Sequence, residues 1–406
     1  MQPNPISMTE EKFLELCRSK YQQLNKLNEI KDFYEYEKQF EKIMTDLSRT
    51  VLENNISEVP ADRRKKTLCR YGKIEIANIH VFSEPLNSFQ ISPYMQELMT
   101  YTGQLDRYEQ CNEILSKFTG VEVSVMQVHR VTDTYGNLLE QQAATEPSLD
   151  EEEVIELKPD ETVYAMTDGS MILTREEGWN EVKPGRIFKE SQCMEVGGER
   201  GWIKTSIYEA VLGSSKAFSG RFEQKLDAYR GLGKRLIFIT DGAIWMKNWI
   251  TDAYPNATQI LDWFHACEHV CEFGREYFRD EEEKNKWIEE QKALLYESKT
   301  TEVINNIISL VTTGESVENS KNKLLQYYQM NKDRMDYKKY RTMGAGLIGS
   351  GAIESAHRTV IQKRMKLSGQ RWTKKRAQNM LTLRCTRLSG KWDKVIKLIC
   401  SQVKAA

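Results

Sequence analysis

Residues Arg235 to His269, RLIFITDGAIWMKNWITDAYPNATQILDWFHACEH, leave this chain few ways to fold. An apolar run, Leu236–Thr240, delivers Asp241 at its end, with Gly242 next. An amphipathic, helix-like segment follows and closes at Tyr254-Pro255-Asn256. A second short apolar run then delivers Asp262 and, three residues on, His265. Buried strand, acid, helix, buried strand, acid is the pattern of a βαβ unit with both sheet faces covered. Open α/β sheets bind and react at the carboxyl ends of their strands. Upstream, VYAMTDGSMI brings Asp168 to the end of another apolar run; downstream, GSGAIESAHR places Glu354 in the first turn of an expected helix capped by Ser350.

The surrounding segments extend the pattern. TVYAMTDGSMIL, then GWNEVKPGRIFKESQCME with a turn expected at Lys183-Pro184-Gly185, then WIKTSIYEAVLG read as three strands, and SSKAFSGRFEQKLDAYRG as an amphipathic helix. The order β-β-β-α-β-α-β is that of the ribonuclease-H-like fold, an α/β architecture with an antiparallel start joined to a parallel half. Residues 266–343 are charged, helix-favouring and poor in Gly and Pro, with amphipathic segments near 282–297, 301–312 and 317–330, which reads as an all-helical insertion. Helical stretches near 373–388 and 391–404 finish the chain.

The N-terminal half is mainly helical. Residues 8–52 carry an apolar stripe at helical spacing with no Gly or Pro to interrupt it, which suits packing on the chain's own body or pairing between chains. The basic cluster Asp62–Lys66 precedes TLCRYGKIEIANIHVF, read as short strands turning at Gly72. Tyr108–Phe118 is an amphipathic helix stopped by Thr119-Gly120, and Ser124 can cap a second one. A helix pair whose second member presents Gln127, His129 and Arg130 has the layout of a helix-turn-helix that reads a major groove, or of an ordinary helical hairpin. Residues 146–161 hold eight acids against Lys158 and read as an acidic linker.

Lys and Arg number 58 and Asp and Glu 59, so net charge alone favours no partner. Its distribution does. From Glu354 to the end stand 14 Lys or Arg against Glu354 and Asp393. Such a tail is either a polyanion-binding surface or a solvated face. Eight scattered cysteines form no paired framework, and no apolar run approaches the roughly 20 residues that span a bilayer, so a cytoplasmic protein with free thiols is expected.

Two strand-end aspartates and a helix-borne glutamate are the ingredients of a two-metal phosphoryl-transfer site, in which hard oxygen ligands hold two divalent cations. Taken singly, Asp168-Gly169 and Asp241-Gly242 are also tight-turn signals, and Glu354 an acid favoured by a helix N-terminus. A rival comes from HACEH, residues 265–269, which fits the His-x-x-Glu-His pattern of inverted zinc peptidases, with His265 and His269 as ligands and Glu268 as base.

YAMTDGSM, WNEVKPGRIF, ITDGAIW, QILDWFHACEH and GSGAIESAHRTVIQKRMKLSGQRWTKKRAQNMLTLRC are collinear across most of residues 164–385. Together they resemble the DDE-class transposases of bacterial insertion sequences, most closely the Kra group. The resemblance implies that Asp168, Asp241 and Glu354 are the catalytic acids and ligands of two Mg2+ or Mn2+ ions per site. It also implies that Asp262 and His265 support the site as the Asp-or-Cys-x-x-His element does in hAT and Mutator-like transposases. Cleavage at the ends of the protein's own element and joining of the 3′-hydroxyl to target DNA would follow, by a homodimer or larger assembly, with DNA as partner. A non-catalytic DNA-binding derivative is the other possibility. Many relatives carry a cysteine-rich, zinc-ribbon-like segment near the N-terminus, whereas Cys69 here stands alone. The basic residues after Glu354, namely Arg358, Lys363, Arg364, Lys366, Arg371, Lys374, Lys375 and Arg376, would contact phosphates. Trp372 could stack on an unpaired base or fill a core, and Trp202 stands in the same position. The expected layout is an N-terminal helical segment (1–60), a DNA-binding region (61–145), the linker (146–160), a catalytic domain (161–265 and 344–388) interrupted by the insertion (266–343), and a basic C-terminal helix (389–406).

Overall fold

The apolar stripe of residues 8–52 forms two helices in the computed structural model, which describes residues 8–57, 63–77, 89–145, 155–196, 200–230 and 235–401. Helix α1 (Glu10–Lys26) starts where the Thr9 hydroxyl accepts from the Lys12 amide at 3.3 Å. It gives way to a 3-10 turn, Leu27–Glu29, and α2 (Phe33–Ser57) begins where Asp32 accepts from the Tyr34 amide at 3.1 Å. The stripe has no Gly or Pro, yet a side-chain cap at Asp32 is enough to restart the helix. Strands β1 (Arg64–Cys69) and β2 (Gly72–Ala77) form an antiparallel hairpin turning before Gly72. Asp62 and the expected continuation of that strand beyond Ala77 lie outside the described residues. Cys69 is buried and donates to the Gly72 carbonyl at 3.2 Å, and burial raises its thiol pKa.

Helices α3 (Pro93–Gly103), α4 (Tyr108–Thr119) and α5 (Val125–Thr145) follow. Gly120, at φ 67°, caps α4 in the left-handed conformation, and its amide donates to Ser116 at 2.8 Å. Ser124 and Gln127 form a reciprocal capping box at the start of α5: the hydroxyl accepts from the Gln127 amide and the Gln127 carboxamide accepts from the Ser124 amide. The C-terminal helix, Asp393–Ser401, packs on α3, with the Trp392 indole on Glu97 at 3.2 Å and edge-on to Tyr101. These elements belong to one compact unit, Met1–Gln141 with Lys391–Ala406. This unit spans the division placed at residue 60 and includes the last helix among the described residues.

The second unit is Gln142–Gly390. Residues 146–154 of the expected linker lie outside the described residues, while Ile155–Glu156 already form a strand, β3. Strands β4 (Val163–Thr167) and β5 (Ser170–Thr174) pair in one continuous register with β6 (Gly178–Lys189), interrupted only at Asp168-Gly169. The turn expected at Lys183-Pro184-Gly185 is absent. Pro184 sits inside β6, and its carbonyl accepts from the Asp168 amide and the Thr167 hydroxyl. A small hairpin, β7 (Cys193–Val196) and β8 (Arg200–Ile203), precedes β9 (Ile207–Leu212), and α6 (Ser215–Leu226) follows. After β10 (Tyr229–Arg230), paired with β3, come β11 (Leu236–Thr240), α7 (Ile244–Ala253) and β12 (Thr258–Leu261). The sheet runs β12-β11-β4-β6, with β5 and β9 both on β6. Strands β4, β11 and β12 are mutually parallel; β6 is antiparallel to β4, β5 and β9.

Both faces of this mixed sheet are covered, and the period-2 alternation of strands assigns each residue to one of them. Val163, Ala165, Leu236 and Phe238 pack with Phe218 and Phe222 of α6 and Met246 and Ile250 of α7. Tyr164, Met166, Ile237 and Ile239 share the opposite core with the helices that follow β12. These are α8 (Trp263–Tyr277), α9 (Glu281–Tyr296), α10 (Thr300–Ser309), α11 (Glu315–Asn331) and the short α12 (Tyr337–Tyr340). The helical insertion is thus continuous with one layer of the sheet. The chain returns through α13 (Gly351–Ala356), a π-helical turn His357–Gln362, and α14 (Lys374–Leu388) against β9.

Candidate active site

Asp168, Asp241 and Asp262 each follow immediately on the last residue of a parallel strand, β4, β11 and β12, and these strands are adjacent. Equal register along parallel neighbours therefore brings all three acids to one sheet edge. Glu354 comes to the same edge on α13, and Asp168, Asp241, Asp262, His265, Ser350 and Glu354 line one cavity of about 540 Å³.

Each acid is held differently. The Asp168 carboxylate accepts from the Gly169 amide at 2.6 Å and stands 3.3 Å from the His357 Nε2 atom. Burial raises its pKa above the ordinary carboxylate value; the charge of Asp241 pushes the same way, while the Gly169 amide and His357 oppose it. Asp241 accepts from the Ala243 amide at 2.9 Å, and the Tyr327 hydroxyl of α11 donates to its backbone carbonyl at 2.9 Å. Glu354 is exposed within the first turn of α13, with the Ser350 hydroxyl 3.3 Å from its carboxylate. The Ser350 side chain makes no helix-capping bond, so its expected role as a cap gives way to this contact.

Asp262 is buried, and one of its oxygens accepts from both the Phe264 amide at 3.1 Å and the Ser350 amide at 2.9 Å. It joins the start of α8 to the start of α13, so the strand β12 and the helix bearing Glu354 share a fixing point. Burial raises its pKa and these bonds counter it. His265 is half-buried, with Nδ1 3.5 Å from Glu268. His265 and His269 share a face of α8, rings perpendicular at 5.3 Å, and the pair lies within a helix as a zinc site would need. His269, however, packs on the Tyr327 ring at 4.1 Å and pairs with Glu272 at 3.5 Å.

Among the described residues no three His, Cys, Asp or Glu groups stand close enough together to enclose an ion. This holds for the HACEH histidines and for Asp168, Asp241 and Glu354 alike. For the three acids, oxygen-only donors are the right chemistry for Mg2+ or Mn2+. The raised pKa of Asp168 is the electrostatic cost that a cation would relieve, and His357 lies beside Asp168 with its own pKa lowered by burial.

Two neighbours of these acids, His357 and Arg186, belong to no recognisable sequence motif. His357 opens a π-helical turn, a local widening that recurs at functional sites. Arg186 is buried in β6, donates to Ser206 at 2.9 Å and to the Ala352 carbonyl at 2.8 Å, and thereby fixes α13 against the sheet. The signal for His357 was its place three residues after Glu354; Arg186, between Lys183 and Lys189, gave none.

The expected DNA contacts divide. Arg358, Lys363, Lys366, Arg371, Lys375 and Arg376 are exposed, although Lys366 bonds the Ser170 hydroxyl at 2.9 Å, and Lys374 pairs with Glu177. Arg364 is corrected: it is only 1% exposed and lies over the Trp372 ring at 5.1 Å. Trp372 is likewise buried, its indole donating to the Met365 carbonyl at 3.1 Å, which places it in the core. Trp202, by contrast, is 51% exposed on the β7–β8 hairpin. On α5, Gln127 is half-buried in the capping box, His129 is half-buried and edge-on to Tyr108 at 5.0 Å, and Arg130 is exposed over Phe89.

The eight cysteines are free, and among the described residues no helix is long and apolar enough to cross a membrane. Comparison with protein-family models gives no match, and comparison with curated proteins gives none either.

Proposed function

We propose that this chain is a DDE-type DNA transposase with a ribonuclease-H-like catalytic unit, cutting phosphodiesters at the ends of its own insertion sequence and joining the 3′-hydroxyl to target DNA. One observation carries the reading: Asp168, Asp241 and Glu354, distant in sequence, line a single cavity at the carboxyl edge of a sheet ordered β12-β11-β4-β6 with β9 outermost. The antiparallel β4, β6 and β9 joined to parallel β11 and β12 support the fold assignment. Asp168, Asp241 and Glu354 would hold two Mg2+ or Mn2+ ions, which when bound supply an activated oxygen nucleophile and neutralise charge on the leaving oxygen. Asp262 holds the Glu354 helix against α8, and His265 lines the wall beside it. The exposed basic residues after Glu354 suit phosphate contacts that position a duplex without reading its bases. Two ends require two such sites, so a homodimer is the smallest working assembly, and the site of action is DNA in the cytoplasm.

The test is incubation of the purified protein with duplex DNA carrying the sequences that flank its own coding region, with Mn2+. Strand cleavage leaving a 3′-hydroxyl is expected. Asp168→Asn and Glu354→Gln are each expected to lower it about a thousandfold or more while DNA affinity stays within about threefold. Full cleavage by either variant removes that residue from the mechanism. DNA binding with neither cleavage nor cation binding favours a non-catalytic DNA-binding protein of the same fold.

A further inference from the structure

The cavity that holds the acids extends well beyond them. Its wall follows α8 through Phe264, Glu268, Cys271 and Arg275, and Lys292 of α9 faces this stripe. Steps of four, three and four residues keep side chains on one helix face. At about 1.5 Å per residue, the rise from Asp262 to Arg275 is roughly 20 Å. The groove is therefore acidic at the sheet edge and basic at its far end.

Between its two ends the wall carries one carboxylate, Glu268, among uncharged side chains. Burial pushes the Cys267 thiol up to about 12, so it lines the groove uncharged. Of the carboxylates near Arg275, Glu272 contacts His269 and Glu276 the Ser320 hydroxyl, while Glu268, beside His265 in the same cavity, leaves one acidic point along the wall. Lys292 is half-buried and pairs with Glu289 at 2.9 Å, whereas Arg275 is exposed and, among the described residues, has no ion-pair partner. A guanidinium there keeps its fork of donors for an oxyanion. Phe264, 56% exposed at the acidic end, offers an apolar ring beside the reacting position.

We propose that the groove along α8 receives the substrate strand, with Arg275 and Lys292 together holding a phosphate several nucleotides from the one that reacts. The inference rests on the transposase reading. It adds a binding role for the helical insertion, whose far end would set how the strand threads past the three acids. With one phosphate per about 3.4 Å of axis on each strand, the groove spans up to about six of them.

The experiment is fluorescence anisotropy with a short labelled DNA single strand of mixed sequence, titrated into the full chain in Ca2+ across a salt series. For Arg275→Gln/Lys292→Gln, affinity at low salt is expected to fall about tenfold and the log–log salt slope by about 1.4, the value for losing two single-strand phosphate contacts. Arg275→Lys/Lys292→Arg should restore most of both. Lys323→Gln/Lys332→Gln, which removes two exposed charges of the insertion away from this cavity, should leave both unchanged. Wild-type binding that is untouched by the first substitution, or weakened equally by the control, overturns the inference and leaves the transposase reading standing. No binding of the strand by the wild-type chain likewise overturns the inference, whereas the transposase reading stands or falls with cleavage of duplex ends.

Discussion

Asp168 and His357 face each other at 3.3 Å within a partly buried edge, and their protonation states oppose one another. Burial raises the Asp168 pKa and lowers that of His357 from its ordinary 6.5. A carboxyl whose folded value is raised contributes stability that is complete below its unfolded value and is lost as pH rises through the folded one. A depressed histidine contributes above its unfolded value and loses that as pH falls. Without divalent cations, wild type is therefore expected to gain stability relative to Asp168→Asn as pH falls from neutral through the raised Asp168 value. Thermal melts of the two proteins across that window check it, and a constant difference between them contradicts it. His357→Gln tests a positioning role: cleavage should slow about 10- to 100-fold, the range for partners that orient a ligand, with DNA affinity unchanged. Equal loss of affinity and rate would mean that His357 only maintains the fold.

At the level of elements, the strand ends were the legible part. The continuous apolar runs VYAMT and LIFIT were plain as strands buried on both faces, and the acid after each run marked the sheet's carboxyl edge. The start of α13 at a Gly-rich loop was equally visible. The path of β6 was not, because Lys183-Pro184-Gly185 has turn chemistry, while in the fold Pro184 needs no amide and its carbonyl serves the strand that carries Asp168. A core place for Trp372 was among the readings of its sequence, but burial of Arg364 could not be read from a run rich in Lys and Arg, since only tertiary packing separates a cation stacked on a core indole from its exposed neighbours. Gly242 ties local conformation to the site. At φ +96°, a Cβ there would meet Leu261 at 2.8 Å and the Tyr327 hydroxyl at 2.9 Å, beside the backbone that carries Asp241. Gly242→Ala is expected to cost about 1–3 kcal/mol and to depress cleavage more than DNA binding. Wild-type melting temperature and cleavage would show that the turn tolerates a side chain.

For the whole molecule, the helical insertion packs on one sheet face and lends that face's groove a basic far wall, while Arg358, Lys363, Lys366, Arg371, Lys375 and Arg376 expose cations on the unit that holds the sheet. The charge segregation of the tail after Glu354 was legible; which of its residues face solvent was not. Replacing Lys374, Lys375 and Arg376 together by Gln should weaken duplex binding uniformly across sequences and reduce the salt slope by up to about 2.7, less if the Glu177 pairing already occupies Lys374. An unchanged slope assigns the tail to an ordinary solvated face. The account as a whole depends on Asp168, Asp241 and Glu354 acting as one cation-binding set. Titration of the purified protein with Mn2+, followed by electron paramagnetic resonance, tests this most directly. Binding in the wild type that is lost or sharply weakened in each of Asp168→Asn, Asp241→Asn and Glu354→Gln is the expected result. Wild-type Mn2+ binding that survives all three substitutions, or is absent from the start, would contradict it.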